Sequence, residues 1–287
     1  MTFDTLLPLL LSPWGLGILG LCVGSFLNVV IHRLPLMLER QWRAEGADIL
    51  NLPAPAEDAE PLTLSKPDSR CPKCGHQIRW FENIPLVSWL FLRGKCSACQ
   101  APISVRYPLI ELATGALFVA CWWRFGEQPS TLLWCGFVAV LVAASAIDWD
   151  TTLLPDNLTL PLLWAGLLVA VLGWTDTSLP DAVWGAIAGY LSLWSVYWLF
   201  KLTTGKEGMG FGDFKLLAAL GAWLGWTMIL PIVLGSSLIG AIVGIGLKLS
   251  ANLREGRYVP YGPFLAGAAL CVLFAGKDQV MSWLGWA

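Results

Sequence analysis

Two groups of residues in this 287-residue chain have types and spacings that can do chemistry. The first is Cys71-Pro-Lys-Cys74-Gly75-His76, followed by Cys96-Ser-Ala-Cys99. Two residues between thiolates let one turn of chain offer both sulfurs to a single ion, and Gly75 lets the backbone curl around it. Two such turns complete a closed tetrahedral site of four thiolates, the geometry of structural Zn2+. His76 could replace a thiolate, but four cysteines suffice. The second group is made of carboxylates. Asp148, Asp150 and Asp156 lie in Ala146-Ile147-Asp148-Trp149-Asp150-Thr151-Thr152-Leu153-Leu154-Pro155-Asp156, and Asp213 closes Gly210-Phe211-Gly212-Asp213.

Two carboxyls brought together away from water cannot easily both ionise. One keeps a proton and serves as acid, and the other activates water as base. Such a pair hydrolyses peptide bonds with neither histidine nor metal. The chain has only 2 histidines, His32 and His76. His32 lies at the end of an apolar run and His76 inside the first cysteine turn. Serine and cysteine hydrolases mostly need a histidine base, and no HExxH metalloprotease pattern is present. Hydrolysis would therefore run on aspartates. Asp148 and Asp213 sit at ends of apolar runs, where an ionisable group is costly and points to function. Boundary aspartates also cap helices or face water. That suits Asp150 and Asp156, the latter as an N-cap after Pro155. It suits Asp213 less, because Gly210 and Gly212 before it let another backbone approach closely.

The elements that must carry these residues are apolar helices. The chain is 56% hydrophobic and 13% charged, with a mean hydropathy of +0.64, whereas soluble domains carry about 25% charge. Apolar runs fall at about 6–31, 108–125, 130–147, 157–174, 181–200, 212–225, 227–249 and 262–286. Each can cover about 30 Å of hydrocarbon, the shorter ones with help from their flanks. The sixth is the weakest, since it opens with Asp213 and Lys215. The expected fold is an all-α polytopic membrane protein of about eight transmembrane helices embedded in a lipid bilayer. The 17 tryptophans fit membrane–water interfaces. The first run has no basic stretch before it and no small-residue cleavage site after it, so it is expected to be retained as a helix. A net charge of −2 gives no case for nucleic acid. Cys22, Cys121, Cys135 and Cys271 lie singly in apolar runs and read as packing residues.

The one long polar stretch, 36–106, separates the first helix (1–35) from a seven-helix membrane domain (107–287). Residues 36–68, with Pro53, Pro55, Glu57, Asp58, Glu60 and Pro61, read as a mobile arm, partly helical at its start. Residues 69–106 hold the cysteine turns and a small apolar core (Trp80, Phe81, Ile84, Trp89, Phe91) that about 40 residues could not stabilise without a metal. Of the 18 Lys and Arg, ten lie in this stretch or at Arg33. Six more (Lys201, Lys206, Lys215, Lys248, Arg254, Arg257) fall on its side of an eight-helix threading, and only Arg124 and Lys277 on the other. The positive-inside rule then makes the zinc loop cytoplasmic and both termini periplasmic. A reduced compartment excludes disulfides there.

Taken in order, these motifs resemble the type IV prepilin peptidases. Gly210-Phe211-Gly212-Asp213 matches the GxGD signature of intramembrane aspartyl proteases, and Asp148 with Pro155-Asp156 seven residues on resembles the partner motif. The likeness includes Gly24-Ser25-Phe26-Leu27-Asn28 through His32-Arg33-Leu34-Pro35 and the CPxCG…CxxC loop. It continues through Ile103-Ser104-Val105-Arg106-Tyr107-Pro108 to Glu111, and then Tyr261-Gly262-Pro263-Phe264.

The resemblance implies an inner-membrane enzyme that removes the basic leader from type IV prepilins and type II secretion pseudopilins. Its catalytic pair would be Asp148 and Asp213, with Gly210, Gly212, Asp150 and Asp156 in support. It further implies N-methylation of the new N-terminus with S-adenosyl-L-methionine. Gly15-Leu-Gly17-Ile-Leu-Gly20 spells GxGxxG, but it lies inside an apolar run with no strand before it. It reads as helix packing, like Gly20 and Gly24 four apart. The methyl donor would need a different surface, for which Gly94 and Glu111 are the candidates. Gly94 also reads as a turn glycine. A competing reading is an ion-coupled transporter with Asp148, Asp213 and Glu111 as a relay and the zinc loop as regulator. Oligomeric state is left open.

Overall fold

A computed structural model describes residues 3–53, 62–249 and 259–286 of the chain. Pro55, Glu57, Asp58, Glu60, Pro61, Arg254 and Arg257 lie outside the described residues. Among those described there are only helices, turns and isolated bridges, and no strand. The chain divides into two compact units, Met1–Ala143 and Ala144–Ala287.

The first unit begins with α1 (Phe3–Leu11) and α2 (Pro13–Ile49). Ser12 separates them: its hydroxyl accepts the Gly15 amide at 3.1 Å and Pro13 takes the first helical position, a standard helix start. The helix runs on through Pro35, so the arm that starts at residue 36 is helical at its beginning. It continues to Ile49, for a total of 37 residues, about 55 Å at 1.5 Å per residue. On the polar extension, Arg43 pairs with Glu39 and Gln41 with Glu45, both one helical turn apart. The far end of the expected arm is also held, because Arg33 donates to the carbonyls of Thr63, Leu64 and Pro67 at 2.9, 3.4 and 2.6 Å.

The short helix α3 (Val87–Phe91) belongs to the cysteine-bearing stretch, and α4 (Arg106–Phe125) returns along α2. The two long helices meet through small residues. A methyl on Gly20 would come 2.8 Å from the Gly115 Cα, and one on Gly24 would come 2.7 Å from the Glu111 Cα. Gly20 and Gly24 are therefore packing glycines that let two backbones touch. Asn28 Nδ2 donates to the Tyr107 carbonyl at 3.1 Å near the start of α4.

The division between units falls within α5 (Ser130–Thr151). The second unit continues with α6 (Asp156–Val171), α7 (Leu179–Thr204), α8 (Phe211–Leu224), α9 (Ile229–Leu249), α10 (Gly262–Ala275) and α11 (Lys277–Trp283). Helix α8 is its centre, with nearly every residue from Asp213 to Leu224 buried. Gly185 of α7 and Gly221 of α8 face one another so closely that a Cβ on either would lie 2.1 Å from the other's carbonyl oxygen. On the α6 side, Trp223 packs over Gly166 and donates its indole N–H to the Leu162 carbonyl at 2.8 Å.

Each of the eight apolar runs has become helical. Among the described residues, four helices are long and apolar enough to cross a membrane: Pro13–Ile49, Ser130–Thr151, Leu179–Thr204 and Trp226–Leu249. A fifth candidate is the pair α10–α11, bent by 106°. Helix α8, at 14 residues, is about 21 Å long and falls short of the roughly 30 Å hydrocarbon core.

Candidate active site and metal centre

Asp148 is carried on the last turn of α5. The helix ends just beyond it, where the Thr152 amide donates to the Asp148 carbonyl at 2.8 Å and Thr152 takes a positive φ of 55°. Asp213 lies in the first turn of α8, two residues into a helix whose N-cap is Gly210. Both carboxylates are buried, with 4% and 7% of their surface exposed. They lie close enough for the charge of Asp148 to act on Asp213. Ile147 and Phe214, the sequence neighbours of the two aspartates, are themselves fully buried.

Two residues that carry no chemistry of their own complete this arrangement. The Gly262 amide donates to Asp148 Oδ2 at 2.9 Å. Leu154, from the turn after α5, lies against both Gly212 and Gly262: a Cβ on Gly212 would meet the Leu154 Cβ at 2.6 Å, and one on Gly262 its Cδ1 at 3.1 Å. Three segments distant in sequence thus converge on one leucine. Asp213 Oδ1 is buried and has no hydrogen-bond partner. A hydrogen bond to a charged group is worth about 1.5–3 kcal/mol, against about 0.3–1 kcal/mol for an exposed helix terminus and up to about 2 kcal/mol for a partly buried one.

The residues expected to support the pair divide. Gly212 is crowded against Leu154, but a Cβ on Gly210 would meet nothing closer than the Gly212 nitrogen at 3.9 Å. Asp150 is exposed. Asp156 is not the N-cap that its place after Pro155 suggests; Pro155 holds that position and Asp156 is the first helical residue. Its carboxylate instead takes Lys215 Nζ at 2.7 Å on both oxygens, tying the start of α6 to the start of α8. Gly262 entered the sequence reading only within the motif of the resemblance, and neither it nor Leu154 was given a place in the site. A main-chain amide and an aliphatic wedge leave no chemical signature, although a glycine just before Pro263 was a signal for a helix start.

In the first unit the four cysteines converge. All four Sγ atoms lie within 4.8 Å of one another, with Cys71–Cys99 at 3.8 Å and Cys74–Cys96 at 4.0 Å. Sulfurs about 2.3 Å from a central ion at tetrahedral corners stand about 3.8 Å apart, so the set fits a metal of zinc's size. Without a cation, four facing thiols conflict. Amide donors from Cys74 and Lys73 hold Cys71 down at about 6. Against the downward pull of the His76 amide, burial and the Cys99 and Cys71 thiols push Cys74 up to about 12.

The two turns have one geometry. The amides of Gly75 and Gln100 donate to the carbonyls of Cys71 and Cys96, and the Cys71 and Cys96 amides donate to the carbonyls of His76 and Ala101. Bridges Arg70–Gln77 and Lys95–Pro102 close them at matching places. The residue after the second cysteine takes positive φ in both, 72° at Gly75 and 59° at Gln100. His76 is not among the clustered ligands; its Nε2 lies 3.2 Å from Glu82 Oε2 and 3.3 Å from Ser97 Oγ, joining one turn to the other. Hydrogen bonds from Ser97, the Arg79 amide and His76 hold the Glu82 carboxyl down at about 2.

Gly94 and Glu111 have structural tasks. Gly94 takes a φ of +66° with the Trp89 ring against it, and its amide and carbonyl are both engaged, by Trp89 and Ile103. Glu111 Oε2 accepts the Leu86 amide at 2.8 Å. Beside them a cavity of about 320 Å³ is lined only by apolar side chains, including Leu86, Trp89, Leu90, Leu109 and Leu112.

Residues 18–125 match the bacterial peptidase A24 N-terminal domain, and residues 135–245, which span both buried aspartates, match the type IV leader peptidase family. A protein of Aeromonas hydrophila named prepilin leader peptidase/N-methyltransferase is 56% identical over 264 residues, 92% of this chain and 90% of that one. Proteins of the same name from Stutzerimonas stutzeri and Pseudomonas aeruginosa are 54% and 52% identical, each covering 94% of this chain and at least 92% of its own length. The chain belongs to the type IV leader peptidase family. No solved structure matches it. As a member of the peptidase A24 lineage it carries the cysteine cluster in its N-terminal match and the aspartate pair in the peptidase match.

Proposed function

We propose that this chain is a membrane-embedded prepilin leader peptidase in which Asp148 and Asp213 are the catalytic pair. The observation that supports the reading is that two buried carboxyls, 65 positions apart in sequence, lie near enough for the charge of one to act on the other, within the segment matching the leader peptidase family. The substrates are prepilins, and by the same chemistry type II secretion pseudopilins, whose basic leader lies in the cytoplasm and whose apolar segment lies in the bilayer. The scissile bond then falls at the membrane boundary, where α5 ends and α8 begins. This reading keeps the threading of eight spans in the inner membrane, with the cysteine loop cytoplasmic and both termini periplasmic.

Zn2+ is the proposed occupant of the four-cysteine cluster, where it closes the fold of residues 69–106. A second activity, N-methylation of the newly exposed amine with S-adenosyl-L-methionine, follows from the name shared by the relatives. Gly94 and Glu111 remain the candidates for the surface that would hold the donor. The ion-relay alternative draws no support: Asp148 ends α5 and Asp213 begins α8, and one Glu111 oxygen is spent on the Leu86 amide.

The test is cleavage of a purified prepilin by the full chain in detergent. Asp148→Asn and Asp213→Asn should each abolish cleavage, while Asp150→Asn should keep most of it. Near-normal cleavage by either of the first two variants would end the aspartyl reading.

A further inference from the structure

The hydrogen bonding of the aspartate pair is asymmetric. Asp148 Oδ2 accepts a main-chain N–H from Gly262 at 2.9 Å. The Gly210 amide also acts on the Asp213 carboxyl, but Asp213 Oδ1 is buried without a partner. An amide can only donate, and an ionised carboxylate is its best acceptor. A bare, buried carboxylate oxygen is an uncompensated charge, whereas a carboxylic acid carries its own donor. The termini of α5 and α8 act in the opposite sense, since Asp148 closes one helix and Asp213 opens the other. Each presents only a partial charge, and a direct amide contact is the stronger interaction.

The amide is held in place from several sides. Tyr261, just before it, shares hydrogen bonds with Ser236 and Ser237 of α9 at 2.7 and 3.1 Å. Leu154 packs against Gly262 from the turn after α5, and a Cβ at 262 would come 2.7 Å from Asp148 Oδ2 itself. The close approach requires glycine.

We propose that Gly262 is a positioning residue that assigns the roles within the pair, its N–H holding Asp148 as the ionised base and leaving Asp213 as the protonated acid. This rests on the reading of the two aspartates as the reacting groups. In the forward step Asp148 takes a proton from water as the water oxygen bonds to the scissile carbonyl carbon, and Asp213 gives its proton to the carbonyl oxygen. On collapse of the tetrahedral diol, the C–N bond breaks and the leaving amine takes the proton from Asp148. Asp213 recovers its own from a diol hydroxyl. One water is consumed and both carboxyls return to their starting states.

A hydrophobic carbodiimide, which modifies protonated carboxyls, reads the assignment without substrate. The full chain in detergent at neutral pH is treated with dicyclohexylcarbodiimide and the adducts are located by peptide mass spectrometry. Asp213 should carry at least about tenfold more label than Asp148, the factor one charge-assisted hydrogen bond is worth. Equal labelling, preference for Asp148, or no label on either overturns the proposal. In Gly262→Ala the new methyl must displace Asp148 from the amide, so its label should rise toward that of Asp213. A Gly262 that served packing alone would leave the ratio unchanged. The wild-type measurement stands by itself should this variant fail to fold. Cleavage is scored separately: activity in Asp148→Asn or Asp213→Asn sinks the reading of the pair whatever the label shows, and label on Asp148 in an active enzyme sinks only the assignment.

Discussion

Gly210 and Gly212 are two residues apart in one motif, yet they should respond oppositely to the same substitution. In Gly212→Ala the added methyl lands 2.6 Å from the Leu154 Cβ, 0.8 Å inside the 3.4 Å at which ordinary contact begins. The atom it meets is not the free end of a side chain; Cβ moves only with its backbone. Relief must come from shifting the turn after α5 or the start of α8, the two segments that carry the aspartates. Misplacing reacting groups by about 1 Å costs on the order of 10²-fold in rate, or about 2.7 kcal/mol of barrier. Folding should survive, because overpacking costs about 1–3 kcal/mol and alanine recovers up to about 1 kcal/mol over glycine in a helix. Gly210→Ala meets nothing closer than 3.9 Å on an extended backbone with φ −85° and ψ 154°. It should cleave within about twofold of the parent, the scale of an unobstructed substitution. Initial rates of prepilin cleavage, with thermal unfolding as the control for folding, decide it. A Gly212→Ala enzyme within about twofold of the parent, or a Gly210→Ala enzyme equally impaired, would refute the steric argument.

Elemental analysis of the purified chain should find one zinc per molecule; Cys96→Ser should release it and open residues 62–106 to limited proteolysis, and methyl transfer should fail before cleavage does. Gln100→Gly should strengthen the second turn by about 1 kcal/mol, since it removes a left-handed non-glycine residue, and a later midpoint in chelator competition would register the gain. Glu111→Ala strands the Leu86 amide and should cost about 1–3 kcal/mol, whereas Glu111→Gln keeps an acceptor and should cost less, as read by the melting temperature.

Much of this was legible in the sequence because the signals were chemical or periodic. The cysteine spacing named its own cluster, the apolar runs named the helices, and scarce histidines directed attention to Asp148 and Asp213. How far α2 runs on was not legible because Pro35 and the polar residues after it resemble a loop, while pairs one turn apart such as Arg43–Glu39 continue the helix. Helix α8 puts a limit on counting spans by hydropathy. A 14-residue helix need not match the bilayer when its surroundings are α6, α7 and their glycines. Gly262 was hidden for a different reason: its contribution is an N–H that every residue but proline has, and only the fold says where it points. Gln100 occupies the place of Gly75 in a matching turn, an equivalence that the sequence conceals and the dihedral angle reveals.

Arg33 carries a consequence for biogenesis. Its guanidinium gathers three carbonyls from residues 63–67, which leave the ribosome some thirty residues after it. That helix is therefore made first and offers a ready docking point to the incoming stretch of chain, before any of the four clustered cysteines has been synthesised. The four-cysteine cluster would then form outward from this helix. A soluble fragment cut to the cysteine turns alone would have to fold without its foundation.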